Sequence, residues 1–533
     1  MILDLAKMPD GALLHADVCV IGAGATGIAL ALEFVGSRTT VLLLEAGGLR
    51  QETESQQLFA SQVAGLPHAG VHGGRIRAFG GTTTVWGGQS ARFAELDFLP
   101  RPWVPDSGWP ISGRELSAYY DRAEAVMNVR GNASYQSLCR EFGIAPPAFD
   151  SKVLDVDCSQ WSTRPNFARA YRRLLQSAPN VTVLLHANVV ELVPFASGKS
   201  VERVEFRTLQ GVRGSARAHS YTVCCGGLES SRLLLSSNRF DQSGLGNHHD
   251  VVGRFFQEHL HINLGRLIPR DVRTVHDMFE GFFVNGCKQA PKLVLTSETQ
   301  QREQCLSAHG EVIFEQPADS SVAALKTVVK AFRGQAAWPG PNVLVRAIRS
   351  PVEMTRLAYR YRLQGRSASP SSSPIRLGAQ VETAPDPDSR VTLGEVKDVL
   401  GMRQLKLNWR IGELERRTLT TLLNVISDQF QRIGIGEVSR RSELSERLTS
   451  DGWRDLIHDS AHHMGTARMA DDPKRGVVDR DCRVHGLDNL YIGGLAVFPT
   501  SGRSSPTLTA IALSIRIADQ IKAELQSRAR ILA

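Results

Sequence analysis

Three glycines near the N-terminus have the spacing of a site that binds a dinucleotide. Gly22, Gly24 and Gly27 stand in G-x-G-x-x-G spacing, between an apolar run at 18–21 and an Ala/Leu-rich segment. In such a motif the first glycine allows a tight turn, the second lets a pyrophosphate approach the backbone, and the third lets a helix pack close to a strand. The helix N-terminus adds free N–H groups and positive potential for phosphate.

A carboxylate follows the second apolar run of this unit, at 41–44. Glu45 lies eighteen positions after Gly27 and can accept hydrogen bonds from both hydroxyls of an adenosine ribose. Because a carboxylate repels a 2′-phosphate, Glu45 disfavours NADP. The strand, the turn, the helix and the acidic residue together predict a dinucleotide site, to which we also assign Ala25, Thr26 and Ala46. The alternative is a packing turn that binds no ligand.

A second group of reactive residues lies near the C-terminus, in the run DSAHHMGTARM. His462 and His463 are candidate general bases, because imidazole titrates near neutral pH. In an extended backbone their side chains project to opposite sides, so one would face a ligand and the other would pack in the core. Ser505 is a further candidate, but its hydroxyl has a far higher pKa. We expect it to reach a substrate through a water or to cap the helix that Pro506 opens.

The segment 70–93 is too glycine-rich for a plain helix or strand. Its glycines would let backbone lie flat against a large planar ligand, whereas the alternative is a flexible loop. Apolar residues that a disordered linker would not keep argue against that alternative. The residues assigned to a ligand here are Gly80, Gly81, Thr82, Val85, Trp86, Gly87 and Gly88.

The pattern of apolar runs predicts an α/β protein, or α+β overall. A Rossmann-like dinucleotide-binding domain would comprise residues 1–110, 165–260 and 455–533. A substrate-binding domain, built on an antiparallel sheet and helices, would comprise 111–164 and 261–454, because RVTL and LKLNW alternate as in a sheet with one covered face. A long helix is predicted from Glu413 to about Ile433.

Composition narrows the class of protein. The 533 residues are 42% hydrophobic and 22% charged, as in an ordinary globular protein of two domains. No run is long enough to span a membrane and the N-terminus lacks a secretory signal, so we expect a cytoplasmic protein. The eight cysteines have no C-x-x-C pair, and we expect neither disulfides nor a metal site. His248, His249, His259 and His261 are interpreted as structural.

The net charge of +8 is spread among 62 basic and 54 acidic residues, with local density of positive charge at 326–333 and 346–366. Such runs are usually solvated helix faces, although an anionic substrate or association with a surface would also suit them. No motif for reading nucleic acid accompanies the charge, so nucleic-acid binding is not expected.

The motifs, taken in order, resemble the glucose-methanol-choline (GMC) family of FAD-dependent oxidoreductases. The resemblance covers nearly the whole chain, through GAGATG with Glu45, GGTTTVWGG, CCGGLESSRLLL, PDPDSRVTL, HHMGT and the closing NLYIGG, FPTSG and PTLT. The two glycines after NLYI and the ending PTLTAIAL most resemble the sugar-oxidising branch that includes pyranose oxidase.

The resemblance implies an FAD held by Gly22, Gly24, Gly27 and Glu45, with the flavin ring along residues 80–88. It further implies adenine contacts near Val189 and pyrophosphate or ribityl contacts near Gly493 and Gly494. His462 becomes the active-site base, because it precedes Gly465 by three residues as in the family motif. The helix that opens at Pro506 and Thr507 would aim its N-terminal dipole at the flavin.

Two departures from the family matter. Val85 occupies the place at which pyranose oxidases carry a histidine bonded to the flavin, so the FAD is expected to be non-covalent. Ser505 replaces the usual asparagine or histidine, so proton transfer would depend mostly on one imidazole.

The predicted function is oxidation of a CH–OH group of a sugar, glycoside or cyclitol to a carbonyl, with hydride transfer to flavin N5. The electron acceptor would be oxygen, a quinone or a redox protein. One alternative is an altered site, marked by Ser505, that performs a non-redox step on a lipid or natural-product intermediate. The other is a flavin-binding scaffold without catalysis.

Overall fold

The computed structural model describes residues 1–129, 133–316, 319–332, 337–348, 355, 359–439 and 441–532. Fifteen α-helices have defined bounds within these ranges. They are α1 (Ala25–Leu32), α2 (Thr53–Gln57), α3 (Gly70–Gly73), α4 (Glu95–Phe98), α5 (Gly113–Met127), α6 (Tyr135–Glu141), α7 (Phe167–Ser177), α8 (Gly226–Ser236), α9 (Val272–Phe279), α10 (Ser297–Glu303), α11 (Ser321–Phe332), α12 (Pro341–Ile348), α13 (Glu413–Arg432), α14 (Arg441–Thr449) and α15 (Thr507–Leu532).

Twenty strands accompany these helices in the described part of the chain. They are β1 (Ile2–Asp4), β2 (Ala12–Ile21), β3 (Val41–Leu44), β4 (Ser61–Val63), β5 (Gln89–Ser90), β6 (Leu154–Trp161), β7 (Val181–Leu185), β8 (Asn188–Pro194), β9 (Val201–Arg207), β10 (Arg213–Val223), β11 (Leu260–Pro269), β12 (Phe282–Val284), β13 (Cys287–Leu295), β14 (Ala308–Phe314), β15 (Ile375–Val381), β16 (Arg390–Lys397), β17 (Arg403–Asn408), β18 (Gly436–Val438), β19 (His458–Asp459) and β20 (Leu490–Ile492).

The first sheet contains the predicted dinucleotide unit. Its order is β1-β7-β3-β2-β10-β9-β8, and β20 also pairs with β10. Neighbouring strands are parallel along the run β1-β7-β3-β2-β10, and β20 is parallel to β10. Beyond β10, β9 and β8 form an antiparallel extension. The carboxyl ends of β2, β3, β10 and β20 therefore meet at one edge, where ligands bind in open α/β sheets. This arrangement confirms the Rossmann-like half of the predicted fold.

The second sheet is antiparallel, with the order β18-β11-β15-β14-β13-β6-β5. The long helix α13 covers it, and its buried face, which includes Leu419, Leu422 and Ile426, packs in the same core as Leu377 of β15. The sheet with its helix confirms the other half of the predicted fold, and α13 ends one residue from its predicted end. A small third sheet joins β16, β17 and β4.

The boundaries between the two domains stay a prediction. β6, within the segment 111–164, belongs to the second sheet as that division requires. α5 lies in the same segment, but Leu116 and Met127 of this helix belong to the core around the first sheet, together with Ile515 of α15. None of the described helices is both long and apolar enough to cross a membrane.

Candidate active site

A cavity of about 610 Å³ lies where the carboxyl ends of the first sheet face the second sheet. Residues from both ends of the chain line it. Of those predicted from the sequence, the cavity is lined by Gly22, Gly24, Ala25, Thr26, Glu45, Ala46, Gly81, Thr82, Val85, Trp86, Gly87, Gly88, Val189, His462, His463, Gly494, Ser505 and Thr507.

Four other predicted residues support the wall without lining it. A Cβ on Gly27 would lie 1.9 Å from the carbonyl oxygen of Gly22, so α1 can approach the turn only with glycine there. Gly493 is similarly tight, since its Cβ would lie 2.8 Å from Cys224 Sγ. Gly80 adopts the left-handed conformation, with φ 96°. The carbonyl of Pro506 accepts the N–H of Ala510 in the first turn of α15.

One end of the cavity has the features of a dinucleotide site. α1 begins after Gly24, whose position would leave an added Cβ in open space, so its backbone is accessible to a ligand. Glu45 Oε2 accepts the Ala23 N–H at 3.0 Å and Oε1 accepts the Gly47 N–H at 2.9 Å. Each carboxylate oxygen keeps a lone pair for a ribose hydroxyl. Burial raises the pKa of Glu45. These residues fit the adenosine and pyrophosphate of FAD.

A cluster of buried charges at the cavity wall was not predicted. Arg75 and Arg232 lie 2.7 and 3.2 Å from the carboxylate of Glu229, and Arg232 also pairs with Asp398 at 2.7 Å. Burial disfavours the carboxylate of Glu229, but the nearby guanidinium groups outweigh burial and hold its pKa at about 2. The only sequence signals were the glycine-flanked R-I-R at Arg75 and the Glu-x-x-Arg that follows β10.

His462 faces the cavity at the other end, and a second imidazole contacts it. His259, immediately before β11, places its Nδ1 2.9 Å from His462 Nδ1. His259 Nε2 lies 2.8 and 3.1 Å from the carbonyl oxygens of Gly502 and Ser501. Carbonyl oxygens only accept, so His259 Nε2 must carry the hydrogen.

This assignment determines the tautomer of His462. Burial lowers the pKa of His259, so this ring is neutral and its Nδ1 is an acceptor. His462 Nδ1 must therefore donate a hydrogen to it, which leaves His462 Nε2 without a hydrogen. Burial, followed by His259, lowers the pKa of His462 to about 3. His462 thus presents a neutral imidazole whose unprotonated nitrogen is not hydrogen-bonded to any residue of the described ranges.

Further hydrogen bonds hold this pair in place. Both oxygens of Glu258 accept the backbone N–H of His462, at 2.7 and 2.9 Å. Gln380 donates its amide to His259 Nδ1 at 3.1 Å. His259 was interpreted from the sequence as structural. Its contact with His462 was missed because 203 positions separate the two residues and no spacing connects them.

His68, Glu258 and His463 lie close enough to hold a metal ion. Hydrogen bonds already use both nitrogens of His68, since Nδ1 accepts the Val71 N–H and Nε2 lies 3.1 Å from Glu258. This arrangement favours a hydrogen-bonded group, and the expected absence of a metal stays a prediction.

His463 and Ser505 differ from His462 in their surroundings. The ring of His463 packs against His68 and Phe256 at 5.2 and 6.1 Å, and its buried Nε2 has no hydrogen-bond partner within the described residues. Burial, together with His68, lowers the pKa of His463 well below its usual value. Ser505 is 9% exposed and lies at the cavity just before α15.

The second sheet supplies the wall opposite the first sheet. Its residues that line the cavity include Trp161, the last residue of β6, and Gln380 of β15. The ammonium of Lys288 lies 4.6 Å from the centre of the Trp161 ring. None of these three residues was identified from the sequence, since each sits in an ordinary strand pattern.

Two family models match this chain. The model described as FAD dependent oxidoreductase matches residues 17–246, and the one described as GMC oxidoreductase matches residues 385–514. The first match contains the dinucleotide unit and the glycine-rich segment, and the second contains His462, His463 and Ser505.

Similar proteins extend over nearly the whole chain. The fructose dehydrogenase large subunit of Gluconobacter japonicus is 22% identical, across 96% of this chain and 99% of its own. The 6'''-hydroxyparomomycin C oxidase of Streptomyces lividus is 24% identical, across 96% and 92%. The solved structure of an FAD-dependent oxidoreductase from Chaetomium thermophilum has a TM-score of 0.56 at 17% identity, and covers 96% of this chain and 100% of its own. This likeness shows the fold.

Proposed function

Because the chain belongs to the GMC oxidoreductases, a family of FAD-dependent enzymes, we propose that it oxidises a CH–OH group of a sugar, glycoside or cyclitol to a carbonyl. The observation that carries this proposal is that His462, whose Nε2 is left unprotonated, lines the same cavity as the dinucleotide motif. Bound FAD supplies flavin N5 as the acceptor of the hydride. The residues of the chain must then bind the alcohol and take its hydroxyl proton.

His462 is the proposed base. Its neutral imidazole can accept the hydroxyl proton at Nε2, while Nδ1–H stays hydrogen-bonded to His259. The carbonyl oxygens of Gly502 and Ser501 orient His259, and Glu258 fixes the backbone of His462. Ser505 can donate or accept one further hydrogen bond at the cavity wall. The base is therefore a single residue held by a positioning imidazole.

A sugar-like alcohol is the proposed substrate class. At the wall that faces the first sheet, Trp161 offers an apolar ring and Gln380 offers an amide. A polyol ring has both apolar C–H groups and polar hydroxyls, so it can contact both side chains. The names of the relatives from Gluconobacter and Streptomyces refer to fructose and to 6'''-hydroxyparomomycin C. Val85 offers no nucleophile for a bond to the flavin, so we propose that FAD is held non-covalently.

The test is anaerobic reduction of the purified, FAD-loaded enzyme by sugars, glycosides, cyclitols and long-chain alcohols. We expect a polyol to bleach the flavin, and His462→Ala to slow bleaching by about 10²–10⁴-fold, since a positioned general base contributes that much. His458→Ala is the matched control, because His458 is exposed four residues earlier. Bleaching of His462→Ala at the wild-type rate would disprove the assigned base.

Two outcomes would favour the alternatives. Product formed without flavin reduction would indicate a non-redox reaction, and retained FAD with neither reduction nor product would indicate a scaffold. Oxygen, a quinone or a redox protein as electron acceptor, and the cytoplasm as the place of action, stay predictions.

A further inference from the structure

The part of the chain between β14 and β15 exposes an unusual amount of apolar surface. Eight of the nineteen exposed large apolar side chains of the described residues lie between positions 329 and 363. Exposed apolar groups that cluster in this way mark interaction surfaces, whereas single ones need no explanation. The eight are Val329, Trp338, Leu344, Val345, Ile348, Tyr359, Tyr361 and Leu363.

The helix α12 turns its larger apolar side chains outward. Leu344, Val345 and Ile348 share one face and are 39%, 47% and 73% exposed, whereas the buried residue of the helix is Ala347. A surface helix normally buries its large apolar residues and exposes polar ones. No part of the described chain covers the exposed face of α12, so its apolar side chains stay in contact with water.

Positive charge accompanies this apolar surface. Residues 320–366 contain nine lysines and arginines and a single acid, Glu353, so this stretch accounts for a charge equal to the net +8 of the whole protein. Some of these cations are used inside the fold, as Arg360 is by Glu280 at 3.0 Å. Arg346 lies on α12 itself, on another side of the helix from Leu344 and Ile348, and Arg362 is exposed further along the chain. The short helix thus carries both apolar and cationic side chains.

We propose that α12 and the loop before it, residues 337–348, dock on the surface of a membrane that contains anionic phospholipid. Helices at such interfaces combine leucine, isoleucine and tryptophan with lysine and arginine, so that apolar groups enter the headgroup region and cations meet lipid phosphates. Positive charge alone would favour a nucleic acid as the partner. Exposed leucine and isoleucine would gain little from contact with one, so a lipid surface is the better match. The proposal is independent of the reaction that the enzyme performs.

The docking surface is connected through α11 to the second sheet, which forms one wall of the cavity. α11 packs against α12, and its Lys326 donates to Gln316, just beyond the end of β14. Lys326 is also close enough to Lys288 to affect the pKa of that ammonium, and Lys288 lies over Trp161 of the cavity wall. Docking would hold the substrate domain, rather than the first sheet, against the lipid.

The test is co-sedimentation of the FAD-loaded enzyme with phosphatidylcholine vesicles, with and without phosphatidylglycerol, at low and high salt. We expect binding only with phosphatidylglycerol, weakened by salt. Leu344→Ser combined with Ile348→Ser should abolish binding. Arg346→Gln, which removes the cation of α12, should weaken it by about fivefold.

The matched control combines Leu174→Ser with Arg173→Gln, an exposed apolar and cationic pair on α7. It should bind as the wild type does. Flavin absorbance and activity with a soluble acceptor should be unchanged in all variants, which separates loss of docking from loss of function. Equal binding by wild type and variants, or binding by these residues to duplex DNA but not to vesicles, would overturn the proposal.

Discussion

At the residue scale, the position of one hydrogen determines which atom of His462 can act as a base. The two carbonyl oxygens near His259 Nε2 require a hydrogen on that nitrogen, so His259 Nδ1 is an acceptor. His462 Nδ1 must then carry the hydrogen that it donates to His259. The Nε2 of His463 has no hydrogen-bond partner in the described part of the chain, and its ring packs among aromatic rings. The geometry therefore favours His462 over its neighbour as the base, in agreement with the resemblance.

Substitution of the positioning imidazole tests this chain of hydrogen bonds. In His259→Leu, His462 Nδ1 loses its acceptor, so the tautomer with hydrogen on Nε2 becomes accessible. We expect flavin reduction to slow by about 10-fold or more, yet by less than in His462→Ala, with FAD still bound. His259→Asn, which keeps a hydrogen-bond acceptor, should recover part of the rate. Equal rates in the Leu and Asn variants would show that His259 is only structural.

The pH dependence of flavin reduction tests the low pKa of His462. Proton uptake inactivates a base, so the rate falls as the pH drops through the pKa. Burial, followed by His259, puts that pKa at about 3, and the rate should stay nearly constant between pH 7 and pH 5. A free imidazole, with a pKa of about 6.5, would lose about 25-fold in rate over this interval. Stopped-flow reduction would reveal a midpoint near pH 6.5 if the assignment were wrong.

At the scale of elements, the start of α1 and the ends of β2 and β3 build the dinucleotide end of the cavity. The glycines of this turn serve two different needs. Gly27 allows contact between helix and turn, whereas Gly24 leaves its backbone open to a ligand. The motif thus combines a packing requirement with a binding requirement.

Two alanine variants separate these needs. Gly27→Ala would place a methyl group 1.9 Å from a backbone oxygen, and should destabilise the protein by at least about 3 kcal/mol. Gly24→Ala meets nothing within 4 Å, and its φ of −82° suits alanine. It should leave unfolding of the FAD-free protein unchanged but weaken FAD binding by at least about tenfold. Urea denaturation and flavin titration provide the two measurements, and a Gly24→Ala variant with normal FAD affinity would contradict the site.

At the scale of the whole molecule, a buried ion pair connects distant parts of the chain behind the active site. Arg101 and Glu382 form two hydrogen bonds of 2.7 Å, and both side chains are fully buried. Glu382 also accepts the backbone N–H of Ser307 and of Gly502. The loop that orients His259 is therefore tied to the second sheet and to the N-terminal region.

Removal of one partner of this pair should destabilise the whole protein. Arg101→Met leaves the carboxylate of Glu382 buried without its cation, which costs about 3–5 kcal/mol. Arg213→Met, which removes an exposed ion pair with Asp10, is the control and should have a much smaller effect. Urea denaturation of both variants measures the difference, and equal losses would contradict the role of burial.

The sequence by itself determined the elements whose identity is local. The glycine spacing with Glu45, the helix from Glu413 and the strand before Gly226 could be predicted because turn chemistry and apolar periodicity act over a few residues. The motifs also pointed to the GMC family, in agreement with the two family models, and to His462. Only the tertiary structure decided the partners of that histidine. His259 and Gly502 support His462 from separate regions and Arg75 reaches the cavity from a third, and their hydrogen bonds depend on distances that no periodicity along the chain encodes.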